Sequence, residues 1–196
     1  MQLKKTEMTE IEQNIKSYFG VVAIDDLETI VSLFTPTTLK KGEFLLKSGK
    51  LCDKLSFVKS GLLRMFVINE DKEVTQCIAT KGHFSTDLSS FIFDTPSRWT
   101  IQAVIETEVY TISKEDYKKI GNLVSKWNEF EKLFLVRCFT ILEDRTIRHL
   151  SMTAEERYNF FFENNRELIQ QVPLQYIASM LGMRPETFSR IRKKQL

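Results

Sequence analysis

The last helix-forming stretch of the chain carries side chains that could recognise the edges of DNA base pairs. Glu186, Arg190 and Lys193 are spaced four and three residues apart, so on a helix they project from one face. Arginine can donate two hydrogen bonds to guanine, and glutamate can accept one from cytosine. We therefore predict that Glu186 and Arg190 read bases from a helix in the major groove, whereas Lys193 suits a phosphate.

Further polar and basic side chains beside that face suit the DNA backbone. Lysine and arginine bind phosphates, which set affinity and register but carry no sequence information. The whole predicted DNA-binding set is Arg184, Glu186, Thr187, Ser189, Arg190, Lys193 and Lys194. The alternative is an ordinary helical hairpin that ends in a solvated basic tail.

Two short helices around a tight turn would position these residues. Pro173 suits a first helical position, Gly182 can adopt the left-handed conformation that ends a helix, and Pro185 starts the next helix. The apolar residues recur at helical spacing and are Ile177, Leu181, Phe188 and Ile191. Together these features predict a helix-turn-helix. Arg184 departs from a good N-cap, because arginine cannot accept the free N–H groups of the helix.

The composition limits the classes of function. Of 196 residues, 28 are Lys or Arg and 26 are Asp or Glu, so the net charge is only +2 and any nucleic-acid signal is local. Three dispersed cysteines predict neither a disulfide framework nor a metal site. The two histidines, His83 and His149, lie in different segments, and we predict no enzyme and no metal. We expect a cytoplasmic protein, because neither a signal region nor a membrane span is present.

The rest of the chain alternates between helical and strand-like patterns. Apolar residues recur at helical spacing up to about Phe34. Between 37 and 112, short apolar or alternating runs are separated by turn residues, which predicts an antiparallel jelly roll or sandwich. Ser113 and Thr153 are predicted N-caps, the latter in a capping box that opens a helix to about Glu163.

A long helix is predicted from about residue 125 to 150. A seam of residues at spacings of three and four follows it and is apolar up to its last member. The seam consists of Trp127, Phe130, Phe134, Cys138, Ile141, Leu142 and Arg145. The seam is wider than the apolar stripe of a surface helix. The residues that widen it are Leu133, Leu135, Val136 and Phe139. Such a helix needs two partners, which we expect to be the β-rich region and the same helix of a second chain. The alternative is a core helix buried within one chain.

These motifs resemble the cyclic-AMP receptor protein/Fnr superfamily of bacterial transcription regulators. The resemblance is carried by Ile177–Gly182, by the Pro185–Ile191 segment and by the Lys41-Gly-Glu-Phe-Leu…Ser60-Gly61 pattern. It implies an α+β protein with N-terminal helices, a cyclic-nucleotide-binding-like β jelly roll, a long dimerisation helix and a C-terminal helix-turn-helix. The implied partners are double-stranded DNA, a second copy of the chain and RNA polymerase, without a membrane.

The effector region departs from the family pattern. The predicted pocket consists of Phe84, Thr86, Asp87, Leu88, Ser97, Arg98 and Trp99. Where the family has glycine, glutamate and arginine, this chain has Thr86, Asp87 and Ser97, so we expect no cyclic AMP in the usual geometry. We therefore predict no cofactor. Asp87 and Arg98 could frame another small effector, but the favoured alternative is a surface ion pair or solvated charges.

The resulting hypothesis is a sequence-specific DNA-binding transcription regulator that acts as a homodimer. Its expected parts are residues 1–113 for the N-terminal helices and β-roll, 114–150 for the linker and long helix, and 151–196 for the DNA-binding domain. The alternative is a small-molecule sensor or partner-binding module that no longer reads DNA.

Overall fold

The computed structural model describes residues 2–20 and 23–195. Its helices are α1 (Gln2–Phe19), α2 (Ile24–Ser32), α3 (Leu88–Phe93), α4 (Lys114–Leu123), α5 (Trp127–Ser151), α6 (Ala154–Asn164), α7 (Leu168–Gln171), α8 (Leu174–Met180) and α9 (Pro185–Lys194). Its strands are β1 (Thr35–Leu39), β2 (Phe44–Leu46), β3 (Lys54–Ser60), β4 (Leu63–Asn69), β5 (Lys72–Ala79), β6 (Phe84–Ser85), β7 (Thr100–Ala103) and β8 (Thr107–Ser113).

The strands form two four-stranded antiparallel sheets in the order β1-β8-β3-β6 and β2-β7-β4-β5. Sequence neighbours such as β3 and β4 lie in different sheets, as expected when the chain winds around a jelly roll. Leu55 and Phe57 in one sheet and Leu63 and Ile101 in the other are almost fully buried. The predicted α+β class and antiparallel jelly roll are confirmed.

The turn between β3 and β4 depends on a glycine. Gly61 has a φ of +87°, and a Cβ at this position would lie 2.4 Å from the carbonyl oxygen of Glu106. Any other residue would therefore both strain the backbone and collide with it. The next residue is also fixed, because the Leu62 N–H donates to the Thr107 hydroxyl at 3.0 Å.

Helices α1 and α5 pack together against the first sheet through aromatic rings. Phe19 stacks on Phe134 with ring centroids 4.7 Å apart, and on Trp127 at 5.1 Å. Phe134 also meets the ring of Phe84 edge-on at 4.8 Å. The first turns of α5 are thus part of the main hydrophobic core.

The predicted caps are confirmed, whereas two short helices were not predicted. Ser113 accepts the Asp116 N–H at the start of α4, and Thr153 forms a capping box with Glu156 at the start of α6. Helices α3 and α7 have only six and four residues, too few for a clear helical period. Pro173 is the N-cap of α8 and not its first helical residue.

The C-terminal helices have a second, smaller core. It is formed by Tyr158, Phe161, Leu168, Val172, Ile177, Ala178, Leu181, Phe188 and Ile191. Leu62 and Ile78 of the β-roll belong to the same cluster. The C-terminal helices therefore pack directly on the β-roll.

The three cysteines are free thiols. Burial raises the pKa of Cys77, and burial also raises the pKa of Cys138 to about 11. Because the thiolate is the reactive form, both side chains behave as small apolar groups at neutral pH.

Candidate nucleic-acid interface and effector pocket

Helices α8 and α9 are held in a fixed relation by a tight turn and by apolar contacts. Gly182 follows α8 with a φ of +66°, and the Met183 N–H donates to the Ala178 carbonyl at 3.0 Å. Phe188 of α9 is fully buried and meets Tyr158 edge-on at 5.2 Å. The inner face of α9 is therefore anchored, and its opposite face points to solvent.

The outward face of α9 carries the residues predicted to contact DNA. Six of these residues are exposed, and Thr187 is half-buried. The exposed residues are Arg184 at the N-cap and Glu186, Ser189, Arg190, Lys193 and Lys194. Within the part of the chain that the structure describes, none of these side chains forms a hydrogen bond or an ion pair. The face is thus a set of unpaired polar groups, most of them cationic, on a rigid helix.

The N-terminus of α9 is uncapped by a side chain. Arg184 has the extended backbone of an N-cap, with φ −73° and ψ 149°, but its side chain makes no capping hydrogen bond. Pro185 follows at the first helical position, where a missing N–H costs nothing. The free N–H groups at this end and the Arg184 guanidinium face solvent together.

In the predicted effector pocket, Asp87 is a buried structural residue. It is only 5% exposed, and its Oδ1 accepts the Ser89 and Ser90 N–H groups at the start of α3. Its Oδ2 accepts the hydroxyl of Ser97 at 2.7 Å. The expectation that Asp87 is a surface charge, alone or paired with Arg98, is therefore wrong.

The neighbouring polar groups of this region are also used within the protein. The Thr86 hydroxyl donates to the Lys54 carbonyl at 2.7 Å and contacts the Cys52 thiol. The Ser97 hydroxyl is shared between Asp87 and the backbone of Trp99. A phosphate or ribose would have to displace these partners, which fits the expectation that cyclic AMP is not bound in the usual geometry.

The remaining predicted pocket residues are divided between core and surface. Phe84, Leu88 and Trp99 pack against the main core. Arg98 is exposed, and its guanidinium carbon lies 5.4 Å from the centroid of the Trp99 ring. The structure therefore brings Thr86, Asp87 and Ser97 together but leaves Arg98 outside, as a solvated charge.

The predicted seam of the long helix is split along its length. Trp127, Phe130 and Phe134 are buried inside the chain, whereas Ile141 and Leu142 are about half exposed, at 50% and 48%. Cys138 and Arg145 lie between these extremes. The other side of α5 exposes a second group of apolar residues, which are Leu133, Leu135, Val136, Phe139, Ile147 and Leu150.

Sequence inspection missed the polar junction between the β-roll and α8. Arg64 is only 2% exposed and lies over the rings of Phe66 and Tyr176, at 4.2 and 3.6 Å from their centroids. Its guanidinium donates to Thr75 and pairs with Glu73. The available signal was a single arginine in the otherwise apolar Leu62–Ile68 run.

Neither a metal-binding cluster nor a membrane-spanning helix is found among the described residues. They contain no group of three or more His, Cys, Asp or Glu side chains that could hold a metal ion. No helix within the described ranges is both long and apolar enough to cross a membrane.

The centre of the chain matches a known family. The sequence profile described as "Cyclic nucleotide-binding domain" matches residues 36–122, from β1 to α4. This segment is similar to a cyclic nucleotide-binding domain. No curated protein sequence matches the chain.

Solved structures with the same fold extend the likeness into the C-terminal helices. FixK2 from Bradyrhizobium japonicum is 19% identical, with a TM-score of 0.67 over 82% of this chain and 83% of that protein. CLP, a c-di-GMP-responsive global regulator of Xanthomonas campestris, is 16% identical, with a TM-score of 0.68 over 88% and 91% of the two chains. The overall fold is thus that of the Crp/Fnr-family regulators.

The cyclic nucleotide-binding domain on its own occurs in a wider set of proteins. The cAMP-bound PfPKA-R structure is 16% identical, with a TM-score of 0.55 over 59% of this chain. This chain spans only 42% of that one. The shared part is the fold of the cyclic nucleotide-binding domain.

Proposed function

We propose that this protein is a sequence-specific DNA-binding transcription regulator that acts as a homodimer. The observation that carries the proposal is the outward face of α9, where exposed cations and Glu186 lie unpaired on an anchored helix. In this proposal α8 and α9 form a helix-turn-helix, and α9 enters the major groove. The fold shared with CLP, a global regulator that links signalling to gene expression, supports it.

The proposed domain boundaries follow from this function. Residues 1–113 form the effector-type domain, 114–150 the linker and dimerisation helix, and 151–196 the DNA-binding domain. Homodimerisation is supported by the apolar residues exposed along α5. Two recognition helices in such a dimer would lie about 34 Å apart, one turn of DNA.

Arg190 should contribute most to base recognition. We expect Arg190→Ala to weaken binding to the specific site by about 1–3 kcal/mol, or roughly 5- to 150-fold, because a bidentate contact to guanine is lost. Binding to unrelated DNA should change much less. The measurement is fluorescence anisotropy at about 0.15 M salt, with DNA from the upstream region of the protein's own gene against unrelated DNA.

Lys193→Ala is the matched control on the same helix face. It should weaken binding to both DNAs equally and lower the salt slope by about one, as expected for a phosphate contact. Arg98→Ala, an exposed arginine on the β-roll, should leave both affinities unchanged. If Arg190→Ala has no effect on the specific site, the base-reading role of α9 is wrong.

Arg184 is expected to lower the stability of α9 and to contribute a contact to a DNA phosphate. Threonine at this N-cap can accept a free N–H of α9, so Arg184→Thr should stabilise the free protein by about 0.5–2 kcal/mol. It should also weaken DNA binding, because a phosphate contact is lost. Thermal denaturation and anisotropy on the same sample measure both effects.

Arg184→Lys separates the two roles of this residue. Lysine keeps the positive charge but cannot cap the helix, so the melting temperature should not rise and most of the DNA affinity should remain. A threonine variant that binds DNA as tightly as the unmodified protein would rule out the phosphate contact.

The second candidate function is a small-molecule sensor or partner-binding module that does not read DNA. The match of residues 36–122 to the cyclic nucleotide-binding domain family favours it. The two candidates differ in one result: a sensor module would bind specific and unrelated DNA equally weakly, with or without Arg190. Cyclic AMP, added in the same assay, should change neither affinity, since Asp87 and Ser97 are occupied by each other.

A further inference from the structure

A cleft lies where the β-roll, the end of α5 and the C-terminal helices meet. Its volume is about 270 Å³. The β-roll contributes Cys77, Ile78 and His83 to its walls, and the C-terminal helices contribute Phe160 and Phe161, among other residues. The cleft is therefore bounded by all three parts of the chain, and it lies outside the effector pocket predicted between Phe84 and Trp99.

The lining of this cleft is strongly cationic. Its cations are Arg145, Arg148 and Arg157. His83 and His149 line it as well, and neither aspartate nor glutamate is among its lining residues. The chain as a whole has a net charge of only +2, so this concentration of positive charge is local. Clefts lined by one sign of charge concentrate ions of the opposite sign.

Three of these five groups are occupied by partners within the protein. Arg157 donates to the carbonyl oxygens of Leu181 at 2.8 Å and Met152 at 2.6 Å, and so ties the end of α5 to the end of α8. His149 Nδ1 lies 3.1 Å from the Arg145 carbonyl oxygen, and His83 Nδ1 lies 2.8 Å from the Thr80 hydroxyl. These groups shape the walls of the cleft.

Arg145 and Arg148 differ, because neither guanidinium group forms a hydrogen bond or an ion pair with any residue that the structure describes. Both are half-buried. Burial lowers the pKa of Arg145, Cys77 opposes that effect, and the charge of Arg148 lowers the pKa further. The guanidinium carbon of Arg148 lies 5.0 Å from the centroid of the Phe160 ring.

Two half-buried guanidinium groups without an ion-pair partner among the described residues destabilise the fold. Residues three apart on a helix are neighbours, and like charges at such positions repel each other. Charges withdrawn from water are normally paired or bound to a ligand. Arg145 and Arg148 project from the side of α5 that carries Phe134, away from the exposed stripe at Val136 and Phe139, so a second copy packed on that stripe would not neutralise them.

We propose that this cleft is a binding site for a small organic anion whose phosphate or carboxylate groups bind Arg145 and Arg148. Guanidinium groups recognise both kinds of oxyanion through paired hydrogen bonds. Phe160 and Phe161 offer an apolar wall for the remainder of the ligand. The site is independent of DNA binding, and it connects the β-roll to the helices that carry α9.

Inorganic pyrophosphate is a suitable probe, because its two phosphoryl groups can contact two arginines one helical turn apart. Binding is measured by calorimetry without DNA, at constant ionic strength set with sodium chloride. We expect saturable binding to the unmodified protein, and at least a tenfold loss of affinity in Arg145→Gln and in Arg148→Gln. Arg137→Gln, on the same helix but outside this cleft, should bind as the unmodified protein does.

Thermal denaturation guards against a variant that is merely misfolded. Arg145→Gln removes the repulsion between the two guanidinium groups, so without pyrophosphate the variant should melt at the same or a higher temperature than the unmodified protein. Its melting temperature should rise less when pyrophosphate is added. No saturable binding to the unmodified protein, or equal affinity in Arg145→Gln, would overturn the proposal. Arg190→Ala should bind pyrophosphate normally, so failure of DNA recognition and failure of this site are separate results.

Discussion

Replacing Phe139 by aspartate is expected to convert the proposed homodimer to a monomer at micromolar concentration. Phe139 is 61% exposed on α5, and Val136, Ile147 and Leu150 on the same side are 59–83% exposed. With Glu143 these residues are spaced by three, four, four and three, so they lie along one face of α5 that a second copy of the helix can cover. In a symmetric dimer the two new carboxylates would lie close together, and like charges in an interface cost several kcal/mol.

The dissociation constant of the dimer should therefore rise by at least about 100-fold. Analytical ultracentrifugation over a concentration series measures it directly. DNA affinity should fall in parallel, because each monomer would hold only one half-site. The matched control is Phe93→Asp, the same change at a phenylalanine that is 72% exposed on the β-roll. An unmodified protein that is monomeric, or a Phe139→Asp variant that still dimerises, would contradict the proposed homodimer.

The sequence predicted features that depend on a few adjacent residues. The caps at Ser113 and Thr153 and the stop at Gly182 are examples. Each requires only one side chain and the backbone within three or four residues of it. The β-rich region and α5 were also predicted, because their apolar patterns lie within the segments themselves.

Features that depend on distant partners were not predictable. Asp87 looks like a substituted ligand-binding glutamate when the segment is compared with its family, but its real partners are the start of α3 and Ser97, ten residues away. The segment Leu88–Phe93 forms only a short helix. The one local signal was Asp87 itself, since aspartate is a preferred N-cap.

Buried arginines illustrate the same limit more strongly. Arg145 is the last residue of the seam predicted for α5. The role of its charge depends on the β-roll and α6, which form other walls of the same cleft. Arg64 needs Glu73, Thr75 and Tyr176, which come from a neighbouring strand and from the C-terminal helices. No spacing rule brings such partners together.

The position of Arg64 shows how a change in the β-roll could reach the proposed DNA-reading helices. Strand β5 is tied to α8 directly, because the Thr75 N–H donates to the Ser179 hydroxyl at 2.9 Å. Arg64, itself buried, adds its ion pair with the exposed Glu73 and its contact with the Tyr176 ring to the same junction. Since α8 and α9 share one core, a shift of the β4–β5 pair would move both helices together.

The largest effect on stability is expected at Phe134. This ring is fully buried and touches Phe19 of α1 and Phe84 of β6, at 4.7 and 4.8 Å between ring centroids. Phe134→Ala removes the contacts of α5 with both α1 and β6 and leaves a cavity between these three elements. We expect the free energy of unfolding to fall by about 3–5 kcal/mol. Urea denaturation at a fixed protomer concentration, followed by tryptophan fluorescence, measures the loss.

Phe93→Ala provides the control for this change, because the same atoms are removed from a ring that is 72% exposed. Surface substitutions of this kind usually change stability by no more than about 0.5 kcal/mol. Phe134 also fixes the part of α5 that precedes the exposed stripe at Val136 and Phe139. The DNA affinity of Phe134→Ala should therefore fall even at urea concentrations too low to unfold the protein. If Phe134→Ala costs no more than Phe93→Ala, then α5 is not held by the β-roll, and the exposed stripe beyond it has no fixed direction in which to meet a second chain.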